Sequence, residues 1–472
     1  MAPSAGLLNA ILTGLVTGSI IALGAIGLSL VYDIAEVPNF AHGDLLTLGA
    51  YAALLVNKPQ SVPLFDLFAT GPRAVGPTGA GLLFVASAAG VLGSVYHLGG
   101  VNAIRGGWWA VDVSPTVGTA THVGLAVFVG ALIVAGLPSY PAALLFAVVV
   151  LGAVVPLTES VVFRKFREKD VELAMMLIVS LAMAFIIRFS IQTVFGGDIR
   201  FYEVDTSIQA AGSSVNFTFA KLIDLLVSSN GVVVNVLDTR GTENLQLFTL
   251  GYGWLEVVGI LAVAALVAGV GYRRRRDTAG VVGPRLAAGL GGGTVLLVGG
   301  ALFASGGTVP SETLYATRLR TSPLRLGIIL IALGLMGFLH YLLQATTLGK
   351  AMRATSDNRE LAMIRGINTR RVMMVVWILA GMFAAVAGVL LGFLFSNITI
   401  NLGFFLLLPM FAGVILGGIS VYGAILGSYV VGLAMEVGIF AIPGLSATYR
   451  VPVAFVVLLL VLLIKPEGIV GD

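Results

Sequence analysis

Residues 349–371 read GKAMRATSDNRELAMIRGINTRR, a charged island between two long apolar runs, 324–343 and 372–395. Each flank is long enough to cross a bilayer, which takes about 20 apolar residues. The island therefore lies just outside a membrane. Its spacing predicts a short helix with defined ends. Asp357 followed by Glu360 is a capping-box signal, and Gly366 sits where a C′ glycine closes a helix. Thr369 then stands ready to cap the next helix, which runs into the membrane. A helix of about two turns has little stability alone, so it reads as a docking element.

The rest of the composition agrees. Of the chain, 58% is hydrophobic and 11% charged, against roughly 25% charged in a soluble domain. The mean hydropathy is +1.01. We expect an all-α fold, a polytopic transmembrane helical bundle forming one membrane-embedded domain over residues 1–472. Apolar runs fall near 7–32, 43–57, 82–98, 122–136, 140–158, 172–195, 254–272, 285–305, 324–343, 373–395, 404–419, 421–441 and 451–464. That pattern predicts about 10–14 spans, some short or broken. The first run, 7–32, reads as a retained first helix rather than a cleaved signal. The chain has no cysteine, which excludes disulfides and thiol chemistry. The pI of about 9.3 does not point to nucleic acid, because the basic residues cluster in loops between spans.

Those clusters orient the chain. Arg164, Lys165, Arg167 and Lys169 lie in one loop, Arg273 to Arg276 in a second, and Lys350, Arg353, Arg359, Arg365, Arg370 and Arg371 in a third. Counting spans puts all three on one side. The positive-inside rule makes that side cytoplasmic, with the N-terminus outside and the C-terminus inside. Arg318, Arg320 and Arg325 fall outside on this count. The longest polar stretch, 196–250, also falls outside and reads as a solvated loop or a docking surface.

A second feature is Pro38-Asn39-Phe40-Ala41-His42-Gly43-Asp44, between the first apolar run and the next. Pro and Gly break the helix there, with Glu36 just before. Polar groups near membrane depth are costly and usually face a cavity or one another. Broken helices also offer backbone groups to substrates. Asn39, His42, Gly43 and Asp44 are therefore candidates to line a substrate path. The structural alternative is that Asp44 caps the helix over 45–57 while Asn39 and His42 brace the turn. Glu436 and Arg188 also lie in apolar runs, and Arg188 needs a partner or a route to the interface. Gly413, Gly417, Gly418, Gly423 and Gly427 suggest close helix packing. No GxxxxGK[ST] phosphate loop and no HExxH occur, and His42, His97, His122 and His340 form no metal-ligand pattern.

Three stretches resemble one family. GLVTGSIIALGAIGLSLVYDIAEVPNFAHGDLLTLGAYAA (14–53) is similar to the N-terminal signature of branched-chain amino acid ABC transporter permeases, of the subunit type with NFAHGD. LGKAMRATSDNRELAMIRGINTRRVMMVVWILAGMFAAVAGVLLG (348–392) resembles the family's cytoplasmic loop and following helix, and LLIKPEGIVG (462–471) its ending. The resemblance implies an importer of branched-chain amino acids or related small amino acids and amides. It implies two cytoplasmic ATPase subunits that bind the ATP, a second paralogous permease and an external substrate-binding protein. The chain itself would then carry no cofactor and catalyse nothing. The resemblance also makes 344–371 the ATPase-coupling loop, through Asp357, Glu360, Ala362, Arg365 and Gly366, with Leu361 replacing the first alanine of an EAA-type loop. Relative to the family, 58–121, much of 200–250 and 275–320 look like insertions. An ion-coupled secondary transporter of small polar solutes is the alternative, and it would need carboxylates at mid-membrane.

Overall fold

A computed structural model of the chain describes residues 3–35, 39–58, 139–169, 171–202, 205–210, 213–218, 221–238, 245–276, 284–302, 316–442 and 444–464. Helices run over Pro3–Ala35 (α1), His42–Asn57 (α2), Ser139–Thr158 (α3), Leu173–Phe195 (α4), Trp254–Arg276 (α5), Pro284–Leu302 (α6) and Pro323–Ala345 (α7). They continue over Thr347–Asp357 (α8), Arg359–Ile364 (α9), Thr369–Phe395 (α10), Leu402–Leu416 (α11), Val421–Ala441 (α12) and Arg450–Ile464 (α13). Among the described residues, 7 helices are long and apolar enough to cross a membrane, with shorter apolar helices at Ala288–Gly300, Leu402–Leu416 and Arg450–Ile464. The expected polytopic helical bundle is present. The spans expected at 82–98 and 122–136 lie outside the described residues, as does the 58–121 insertion from residue 59 on.

Contacts divide the chain into two compact units: Met1–Ala10 with Phe219–Leu326, and Ile11–Thr218 with Gly327–Asp472. In the second, larger unit, α2 holds the centre. It packs against α3, α4, α10 and α11, and 14 of its 16 residues are buried. At 1.5 Å per residue it is about 24 Å long, too short for a hydrocarbon layer of roughly 30 Å. Protein on all sides removes that requirement. The close approach is made by small residues, as expected where helices associate without a solvent-driven hydrophobic force. A Cβ on Gly388 of α10 would run into the Leu46 carbonyl of α2, and one on Gly49 of α2 would lie 2.7 Å from the Ala385 Cα. Gly413 on α11 and Gly417 just after it meet Gly427 and Gly423 on α12 in the same way, as the glycine spacing suggested. Gly418 instead serves the turn between them.

The C-terminal end of α3 is irregular. Pro156 lies inside the helix, and a π turn follows over Glu159–Phe163 before a last helical turn, Arg164–Arg167. A proline that withdraws one donor commonly produces such a bulge. Phe163 from this turn stacks on Trp377 of α10 with ring centroids 5.0 Å apart.

The other unit adds a small β-sheet to the helical bundle. The stretch 196–250, read as a polar external loop, and the end of the 275–320 insertion form strands: Lys221–Ser228 (its β1), Gly231–Asp238 (β2), Leu245–Gly253 (β3) and Ala316–Thr321 (β4). They build one antiparallel sheet in the order β3-β2-β1-β4. Burial alternates along β1, where Asp224, Leu226 and Ser228 are buried in turn, although the apolar residues of KLIDLLVS do not alternate. Asp224 lies opposite Arg320 across the β1–β4 ladder, with 3.8 Å between charged atoms. Helices α5 and α6 pack on each other in this unit. The larger unit adds a short hairpin, Asp205–Ala210 with Ser213–Thr218, and a two-residue antiparallel pair between distant segments, Arg200–Phe201 with Asn397–Ile398.

The packing at Gly388 has a direct consequence. Gly388→Val should lower the thermal midpoint of the detergent-solubilised chain by several degrees, as over-packing costs about 1–3 kcal/mol or more. Gly334→Val, where a Cβ meets nothing within 4 Å, should leave the midpoint unchanged.

Candidate functional site

The charged island folds into α8, α9 and the start of α10, with a cap at each junction. Thr346 accepts a hydrogen bond from the Gly349 N–H at 3.1 Å and opens α8. Asn358, in an extended conformation, accepts from the Leu361 N–H at 2.8 Å and opens α9. The cap is therefore one residue later than the Asp357–Glu360 reading. Asp357 stays helical as the last residue of α8, and Glu360 falls at the second position of α9, where its charge still favours the helix N-terminus. Asn368, not Thr369, caps α10 by accepting from the Arg371 N–H at 3.1 Å.

Gly366 closes α9. Its φ is +83°, its N–H donates to the Met363 carbonyl at 3.0 Å, and the Ile367 N–H donates to the Ala362 carbonyl at 3.0 Å. This pair of bonds is a Schellman motif, and the left-handed position favours glycine. Ala362 is buried, while Leu361, Met363 and Ile364 are 52%, 49% and 81% exposed. Glu360 and Arg365 are exposed beside them. A short, doubly capped helix thus presents an apolar surface with a charged border. Ser356 of α8 donates to Asp33 Oδ1 at 3.0 Å, which ties the loop to the C-terminal end of α1.

At the elbow before α2, every candidate residue is buried. Asn39 Oδ1 accepts from the Ala41 N–H at 3.1 Å. His42 Nε2 donates to the Gly24 carbonyl of α1 at 2.9 Å. Gly43 packs against Gly403 of α11, with no room for a Cβ on either. Asp44 does not cap α2. The helix begins at His42 with no side-chain cap, and Asp44 forms a two-pronged ion pair with Arg188 of α4 at 2.8 and 3.1 Å. Arg188 also lies 4.6 Å from the Phe404 ring centroid. The pair joins residues 144 positions apart, which no local pattern reveals. Among described groups, these contacts tie α2 to α1, α4 and α11. Glu36 and Pro38 lie outside the described residues.

Glu436 also has an arginine, with Arg450 at 3.2 Å, and accepts from Thr17 at 3.3 Å. A further charged cluster escaped the sequence reading. Glu159, in the π turn of α3, is 2% exposed and pairs with Arg167. A carboxylate just past the end of an apolar run was its only signal.

Comparison with known proteins adds to this geometry. The family described as "Branched-chain amino acid transport system / permease component" matches residues 10–104 and 115–464. The high-affinity branched-chain amino acid transport system permease protein LivH of Escherichia coli (strain K12) is 37% identical over 143 residues, 30% of this chain and 44% of LivH. BraD of Pseudomonas aeruginosa, of the same description, is 36% identical over 125 residues, 26% of this chain and 40% of BraD. The fructose import permease protein FrcC of Rhizobium meliloti is 26% identical over 215 residues, 43% of this chain and 59% of FrcC. The chain spans under half the length of LivH and BraD in these matches. No solved structure matches.

The Asp44–Arg188 pair can be tested by a double-mutant cycle on thermal stability. Asp44→Leu or Arg188→Met alone leaves an unpaired buried charge, a loss of about 3–5 kcal/mol. The double variant should cost clearly less than the sum of the two. Additive losses would show that the two side chains do not interact.

Proposed function

Because the chain belongs to the family of permease components of branched-chain amino acid transport systems, we propose that it is the membrane-spanning subunit of an ATP-driven importer of branched-chain or related small amino acids. It is a multi-pass membrane protein. In this reading two ATPase subunits hydrolyse ATP in the cytoplasm, a paralogous permease completes the path, and an external binding protein delivers substrate. The relatives' names support the substrate class. A fructose import permease is also among the relatives, which supports a reading in which the binding protein sets much of the selectivity.

The observation that carries the reading is α9. Its exposed Leu361, Met363 and Ile364, bordered by Glu360 and Arg365, suit a groove on a cytoplasmic partner. Asn358 and Gly366 hold the helix ends, and Asn368 joins it to α10 with only two residues between Gly366 and Thr369. A push on α9 is therefore delivered to α10 rather than absorbed by a loose linker. Because α10 packs on α2 and α3, the same displacement reaches the enclosed centre. The elbow residues Asn39, His42, Gly43 and Asp44 hold α2 to its neighbours, and a change there opens or closes the path beside them. In this reading α9 is cytoplasmic and the N-terminus outside, and the Asp33–Ser356 contact supports a cytoplasmic C-terminal end of α1.

The ion-coupled alternative needs a carboxylate free to take up and release an ion within the membrane. Asp44 and Glu436 each face an arginine, which does not favour it.

In the reconstituted complex, Ile364→Glu should reduce uptake at least about tenfold, the effect of losing about 1.4 kcal/mol of productive docking, while leaving the amount of protein in the membrane unchanged. Gly366→Asp should act in the same direction by straining the turn. Wild-type uptake by both variants would remove α9 from the coupling path.

A further inference from the structure

The end of α3 and the loop carrying α9 line a partly open cavity of about 150 Å³, with Arg359 and Arg370 exposed at its rim. Glu159, Arg164, Arg167, Glu168, Arg359 and Arg370 line it, with two methionines of α10 behind them. Arg164 pairs with Glu168 at 2.9 Å, and Arg167 pairs with Glu159. These two pairs are neutral overall. Among the described residues, Arg359 and Arg370 have no carboxylate at ion-pair distance. The cavity thus has two positive charges in excess.

Two buried polar atoms also lack a hydrogen-bond partner there: Arg167 Nη1, a donor, and Glu159 Oε2, an acceptor. Glu159 itself is 2% exposed. Buried polar groups are rarely left unpaired. What is missing is a group that accepts from arginines and donates to a carboxylate. On the same measure a water needs about 10–15 Å³, so the space is ample for a tetrahedral oxyanion with its hydration.

We propose that this cavity binds a protonated phosphate, either free hydrogen phosphate or the monoester headgroup of a lipid. Arg359 and Arg370 supply the charge, and Arg167 Nη1 the buried donor. Guanidinium groups match phosphate oxygens well. The P–OH proton goes to Glu159 Oε2. Sulfate and phosphodiester headgroups have no such proton at neutral pH, so they place an oxygen against the carboxylate and bind poorly. Arg359 opens α9 and Arg370 lies in the first turn of α10. A bound phosphate therefore clamps both to the end of α3. This binding does not depend on the transport reading.

The test is the thermal midpoint of the full chain in neutral-lipid nanodiscs, titrated with inorganic phosphate or sulfate at constant ionic strength. Phosphate should give a saturable rise of several degrees, and sulfate little or none. The rise should vanish in Arg359→Gln/Arg370→Gln. Glu159→Gln, which replaces the acceptor by an amide that also donates, should narrow the difference between the two anions. Nanodiscs with phosphatidic acid and with phosphatidylglycerol separate the sources. A rise with phosphatidic acid that blocks the response to free phosphate identifies the lipid monoester. A response to free phosphate alone identifies the soluble anion. Equal effects of phosphate and sulfate on the wild type, or no effect of either with no effect of phosphatidic acid, overturn the proposal. So does a double arginine variant that loses ATPase association but keeps the full phosphate response, since the basic lining would then receive an acidic element of the partner.

Discussion

Everything in the larger unit is arranged around a helix that cannot cross the membrane. At 16 residues α2 is too short, and its first turn carries His42 and Asp44. In lipid, both features would be costly, because each unpaired polar group there costs several kcal/mol. Enclosure answers both at once. The flanking helices approach so closely that glycine is required at Gly388, Gly43 and Gly403, and the polar first turn finds its partners on α1 and α4. The same closeness makes the centre stiff, since packed interfaces move between discrete arrangements rather than stretching continuously.

That stiffness is what a transmitted motion needs. α10 is buried along most of its length and touches both α2 and α3. Its first turn is joined to α9 through a Schellman turn and an asparagine cap. The π turn of α3 meets α10 through Phe163 and Trp377 and then turns its charged residues towards Arg359 and Arg370. The charged end of the unit is therefore one connected body, in which α9 stands out as the exposed part.

What the sequence disclosed follows from the range of each interaction. Gly366 was legible because a helix end within a few residues calls for a positive φ. The cap of α9 was displaced by one residue because Asp357 and Asn358 are adjacent and equally able to accept a bond, and backbone conformation chooses between them. Asp44 was read as a cap because that is its only local use; its actual partner, Arg188, comes from a distant helix. The need of Arg188 for a partner was visible, but not its identity. The sheet at 221–253 and 316–321 was not legible, because the buried positions Asp224, Leu226 and Ser228 are mixed in polarity and the apolar residues of the stretch do not alternate. Glu159 passed unnoticed just past the end of the 140–158 apolar run, where its environment is set by the bend after Pro156.

The central claim is that α9 and α10 move as one body against the rest of the unit. The chain has no cysteine of its own, so spin labels can be placed at chosen pairs. Phe395, at the far end of α10, and Leu426 on α12 are both about half exposed. Pulsed electron–electron distances in the reconstituted complex, with and without ATP, should show Ile364→Cys to Phe395→Cys unchanged. Over the same step Phe395→Cys to Leu426→Cys should change. A shift confined to the first pair, with the second fixed, would mean that the motion stops at α9 and would contradict the account.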